Sequence, residues 1–107
     1  MPKYLIQGSY TSEGIQGVLQ GGGSARRAAA QRAIESVEGR LEALYFAFGD
    51  DDVFAIVDVP DTVSAIAAAM TINASGTIRT KTTVLLTPEE VDQAARKRVS
   101  YSPPGRP

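Results

Sequence analysis

Residues 43–59 read ALYFAF-GDDD-VFAIVDV. The two outer segments are rich in Tyr, Phe, Val and Ile, the residues that suit a pleated, packed surface. Between them Gly49 tolerates positive φ, and the Asp residues can hydrogen-bond their own backbone. The stretch therefore reads as a β-hairpin with a tight acidic turn. On the first arm Leu44, Phe46 and Phe48 share one face, and Tyr45 and Ala47 the other. On the return arm Val53, Ala55, Val57 and Val59 oppose Phe54 and Ile56. Both faces are apolar, whereas a sheet with one wet face alternates apolar and polar residues. The hairpin thus asks for cover on two sides, one supplied by the chain's own helices and the other by a second subunit.

Upstream, Lys3 to Thr11 reads as a strand with Tyr4, Ile6, Gly8 and Tyr10 on one face. Its other face carries Leu5, Gln7, Ser9 and Thr11, a polar set that suits either a solvated face or a pocket wall. Thr11 or Ser12 caps a short helical turn bearing Ile15, Val18 and Leu19. Gly21-Gly22-Gly23 breaks that turn, and Ser24 is placed to cap a main helix from Ala25 to about Val37. Ala30, Ala33, Ile34 and Val37 form its buried stripe. The glycine run lacks the spacing of a phosphate-binding loop and reads as a joint between helices. Arg26 and Arg27 oppose the dipole of the helix start, either as solvated or ion-paired charges or as holders of an anion.

Downstream of the hairpin, Asp61 caps a second helix with Val63, Ile66, Ala67, Met70 and Ala74 as its apolar stripe, stopped at Gly76. A fourth strand runs from Thr77 to Leu86 and places Arg79 and Lys81 on one face. Thr87-Pro88-Glu89-Glu90 is a capping box with proline at the first helical position. It opens a short last helix that ends in Arg96, Lys97 and Arg98. A single domain over residues 1–98 is expected, with an extended, proline-containing tail over 99–107.

The order β-α-β-β-α-β is that of the α+β ferredoxin-like sandwich, here with an extra C-terminal helix. Two helices on one sheet face leave the other open, and pairing two such faces gives a dimeric α+β barrel. The expected partner is therefore the chain itself, as a homodimer or higher homo-oligomer.

Composition narrows the chemistry. The 107 residues hold neither cysteine nor histidine. A Ser-His-Asp triad, a cysteine nucleophile and a Cys/His zinc site are excluded within one chain type. Near-balanced charge, with 11 basic and 12 acidic residues, gives no footprint for nucleic acid or membrane. The absence of a signal-like or membrane-spanning apolar run, with no cysteine, fits a cytoplasmic address. No cofactor and no metal site is expected.

The runs YLIQGSYTSEGIQG (residues 4–17), YFAFGDDDVFAIVD (45–58) and KTTVLLTPEE (81–90) resemble the GYD domain family. The resemblance implies a ferredoxin-like, barrel-forming fold and no established reaction. The family's Gly-Tyr-Asp motif lies at the hairpin turn, and here Asp51 stands where the aromatic is expected.

Three functions follow as expectations. The first is a small-molecule site, anionic ligands included, between sheet and helices or inside the barrel. Its candidate residues are Gln7, Ser9, Thr11, Arg27, Tyr45, Arg79 and Lys81, with Asp50 and Asp52 at the mouth. The second is a non-catalytic oligomeric structural or regulatory module. The third is a tautomerase-like isomerase using the secondary amine of Pro2 after loss of Met1. No motif assigns a reaction.

Overall fold

The computed structural model describes residues 1–106. Its elements are β1 (Lys3–Tyr10), α1 (Ser12–Gly21), α2 (Gly23–Glu35), β2 (Arg40–Phe46), β3 (Val53–Asp58), α3 (Thr62–Ala74), β4 (Ile78–Leu85) and α4 (Pro88–Ala95). The strands form one antiparallel sheet in the order β2-β3-β1-β4. This is the ferredoxin-like α+β arrangement, with the first crossover helix split in two and one helix added at the end.

The predicted faces of β1 and β3 follow from their period of two. Tyr4, Val57 and Val59 join Ile34, Ala65 and Ala68 in the core between sheet and helices, with Ile6, Val37, Leu41 and Ala55 packed against it. The opposite sheet face carries Leu5, Phe54 and Ile56, all half-buried in the single chain. At one end of that face Asp58 is buried, and it accepts from Lys3 Nζ at 3.0 Å and Arg40 Nη2 at 3.0 Å. Lys3 also donates to Glu42 at 2.9 Å. Together with Lys3, the Arg40 guanidinium holds the Asp58 carboxyl below its ordinary range. A register shift between Leu41 and Ala43 interrupts the β2 ladder beside Glu42.

Several local expectations are corrected. The segment after Thr11 is a full ten-residue helix rather than a short turn. The next helix starts at Gly23, not Ala25, and ends at Glu35, not Val37. Ser24 is inside it, and its N-cap is Gly22 at φ 82°, where a residue without Cβ is unstrained. In the hairpin turn the positive φ falls on Phe48 (55°) rather than on Gly49. Phe48 stacks on Phe46 with ring centroids 6.1 Å apart, and this pairing accompanies the left-handed backbone. Strand β4 spans Ile78–Leu85, one residue shorter at each end than expected. The last helix stops at Ala95, so that Arg96 is its C-cap and Lys97 and Arg98 follow it. The capping box at Thr87 is present as expected, with both reciprocal hydrogen bonds. Beyond α4 the tail holds no helix or strand among the described residues, and Pro103 to Arg106 form a turn. Pro107, the last residue of the expected tail, lies outside the described residues.

Candidate functional site

Small residues keep the helix layer from filling the space above the sheet. Gly8 on β1 and Ala55 on β3 face Ala29, Ala30 and Ala33 on α2, and a cavity of about 290 Å³ is left between them. That volume lies at the small end of ligand pockets. Ile6, Ile34, Leu41, Leu44, Val53 and Val57 give it an apolar floor and inner wall. A side chain on Gly8 would enter this space, because a Cβ there meets Ile78 Cδ1 at 2.6 Å.

The polar groups of the lining are Tyr10, Arg26, Ser75, Thr77 and Thr80. They come from separate elements. Tyr10 ends β1, Ser75 ends α3, Thr77 precedes β4, and Arg26 stands in the first turns of α2. Hydrogen bonds join the end of β1 to the link between α3 and β4. Thr11 N donates to Thr77 O at 2.9 Å, and Thr11 Oγ1 donates to Gly76 O at 2.9 Å. Ser75 Oγ and Thr77 Oγ1 lie 2.7 Å apart, and Asn73 Nδ2 donates to Thr80 Oγ1 at 2.8 Å. Burial, opposed by the nearby Arg26 charge and reinforced by Asp52, raises the Tyr10 pKa above 10.0. Its hydroxyl therefore stays protonated at neutral pH and remains a donor. Among the described residues Arg26 forms no ion pair.

The residues singled out from sequence lie mostly elsewhere. Gln7, Ser9, Arg79 and Lys81 are on the opposite sheet face, where Gln7 pairs with Lys81 and Ser9 with Arg79 across β1 and β4. Tyr45 is exposed on β2, paired across to Phe54. Three of these groups converge on Asp51, the residue that stands where the family's aromatic is expected. Its carboxylate accepts from Gln7 Nε2 at 3.1 Å and from Ser9 Oγ at 3.1 Å, and Lys81 Nζ stands 3.7 Å away. Asp50 offers its backbone carbonyl to Ser9 Oγ at 3.2 Å, and Asp52 Oδ2 accepts the Tyr10 N–H at 2.8 Å. The acidic turn is thereby tied down onto β1. Thr11 caps α1, and Arg27 is exposed on α2 beside Arg26. Pro2 is exposed at the far end of β1 and outside the cavity lining.

Tyr10 and the three hydroxyl residues were absent from the sequence-based set, and Arg26 was named with Arg27 as a candidate anion holder but not placed in a pocket. One signal was available: Arg26 stands four residues before Ala30 and seven before Ala33, on the stripe that faces the sheet. No group of three metal-ligating side chains occurs among the described residues. No helix among them is long and apolar enough to cross a membrane.

No curated protein and no solved structure matches the chain. A family model described as the GYD domain matches residues 4–95, from the start of β1 to the end of α4. With that match over most of its length, the chain belongs to the GYD domain family.

Proposed function

We propose that this domain binds a small, largely apolar molecule bearing an anionic group in the cavity between sheet and helices, and that it does so as a homo-oligomer. The observation that carries the reading is a lining that is largely apolar yet includes Arg26 and Tyr10, with the Arg26 charge close enough to act on the Tyr10 hydroxyl, and the hydroxyl residues Ser75, Thr77 and Thr80. Arg26 is exposed at the cavity's rim, where a guanidinium attracts a carboxylate or similar anion and the protonated Tyr10 hydroxyl can add a hydrogen bond. The apolar floor then takes the rest of the ligand. The half-buried Leu5, Phe54 and Ile56 on the other sheet face support cover by a second copy. Pro2 is exposed and lies outside this cavity, at the opposite end of β1, so the Pro2 reading draws nothing from it.

The test is native mass spectrometry of protein purified without added ligand, compared with Ala33→Trp, which fills the cavity from α2. The reading expects a reproducible small-molecule adduct on the natural sequence and none on the variant. An adduct retained unchanged by Ala33→Trp would place the ligand elsewhere and contradict it.

A further inference from the structure

The C-terminal segment stands away from the rest of the chain. The radius of gyration is 17.1 Å, against about 13 Å for a compact chain of this length. The longest extent is 59 Å, while the others are 32 and 22 Å. Every residue of α4 is exposed. An eight-residue helix is marginal in water on its own, yet α4 is closed by a complete capping box and carries Val91, Ala94 and Ala95 at helical spacing on one side. Beyond it Val99 is 82% exposed. This is an amphipathic arm without a surface to lie on in its own chain.

A second surface lacks a cover. Helix α3 contains no charged residue from Thr62 to Ala74. Its inner side, Ala65, Ala68 and Ile72, faces the sheet and the cavity. Its outer side presents Val63, Ile66 and Met70, of which Val63 is 78% and Met70 67% exposed. Clustered exposed Val, Ile and Met side chains of this kind mark a surface that another element covers.

We infer that α4 of one copy packs along the Val63–Ile66–Met70 stripe of α3 in a second copy, and that the contact is returned by the partner's arm. The dimensions agree: the stripe spans about 10 Å and α4 about 12 Å along their axes. Ala94 and Ala95 are small enough to let the helices approach closely, with Val91 as the knob between them. Because α3 is uncharged, Glu89, Glu90 and Asp92 at the start of the arm and Arg96, Lys97 and Arg98 after it meet no opposing charge. They stay on the wet side. Two reciprocal contacts related by a two-fold axis close the assembly and double the area of one. This inference does not depend on the cavity ligand.

The absence of native cysteine makes the test direct. Full-length Val91→Cys and Met70→Cys proteins, distinguished by isotopic mass, are mixed and oxidised, with far-UV circular dichroism confirming that both fold. A disulfide needs Cα atoms within about 7 Å. The expected product is the mixed disulfide between the two variants, at least tenfold over either homodisulfide. Predominant Val91→Cys homodisulfide would show arm pairing with arm, and no disulfide would show arms free in solution. An intrachain disulfide in the double variant at high dilution would show the arm folding back on its own α3. Each of these three results overturns the inference.

Discussion

The carboxylate of Asp52 accepts the backbone N–H of Tyr10 at 2.8 Å, so the hairpin turn holds the end of β1 where Tyr10 lines the cavity. The same residue closes the turn through its backbone, as Ala47 N donates to Asp52 O at 2.9 Å and Asp52 N to Gly8 O at 2.8 Å. Replacing Asp52 by Ala removes a charge-assisted hydrogen bond and leaves a part-buried donor unpaired. The expected loss is about 1–3 kcal/mol, read from urea unfolding midpoints at constant m.

Asp58 makes stability depend on pH in a defined direction. Its folded pKa lies below the ordinary 3.8, first through the Lys3 hydrogen bond and then through that of Arg40. A depressed carboxyl pKa stabilises the fold above the unfolded value, and this stabilisation is lost as pH falls through the folded value. Unfolding midpoints measured from pH 6 down to pH 2 should therefore fall more steeply for the natural sequence than for Asp58→Asn. Equal slopes would remove this ion cluster as a cause.

Two glycines on neighbouring elements should respond unequally to alanine. A Cβ on Gly14 would overlap the backbone carbonyl of Thr77, which cannot yield without moving the start of β4. Gly14→Ala should cost more than about 2 kcal/mol. At Gly8 the obstruction is the end of the Ile78 side chain, which borders open space. Gly8→Ala should leave the thermal midpoint close to that of the natural sequence while reducing ligand uptake.

The open sheet face gives a separate prediction about assembly. Ile56 lies on that face between Leu5 and Ala43 in the strand register. If a second copy covers it, Ile56→Lys should shift the sedimentation coefficient from oligomer to monomer at micromolar concentration. A change absent in both mass and shape would leave that face wet.

The fold was legible because its signals are local. The hairpin pattern, the Asp61 and Thr87 caps and the order of elements each depend on residues near one another in sequence, and each recurs in the structure. The site was less so. Period-two alternation correctly grouped Gln7 with Ser9, and Arg79 with Lys81, but polar character drew attention to that face instead of the helix-side cavity. The cavity arises from what is missing, namely side-chain volume at Gly8, Ala29, Ala30, Ala33 and Ala55, and these residues carry no chemical signature of their own. The hydrogen bonds of Asp51 were not legible for a related reason. Its partners, Gln7 and Ser9, lie more than forty residues away in sequence and meet it only once β1 enters between β3 and β4.

The most direct test of the central claim is calorimetric titration of the full-length protein with octanoate and phenylacetate, each beside its primary amide, for the natural sequence and for Arg26→Leu. The cavity reading predicts that an acid binds at least tenfold more tightly than its amide, about 1.4 kcal/mol, and that Arg26→Leu abolishes the difference while both proteins fold. Equal affinity for acid and amide in the natural sequence, or an acid preference that survives Arg26→Leu, would contradict it.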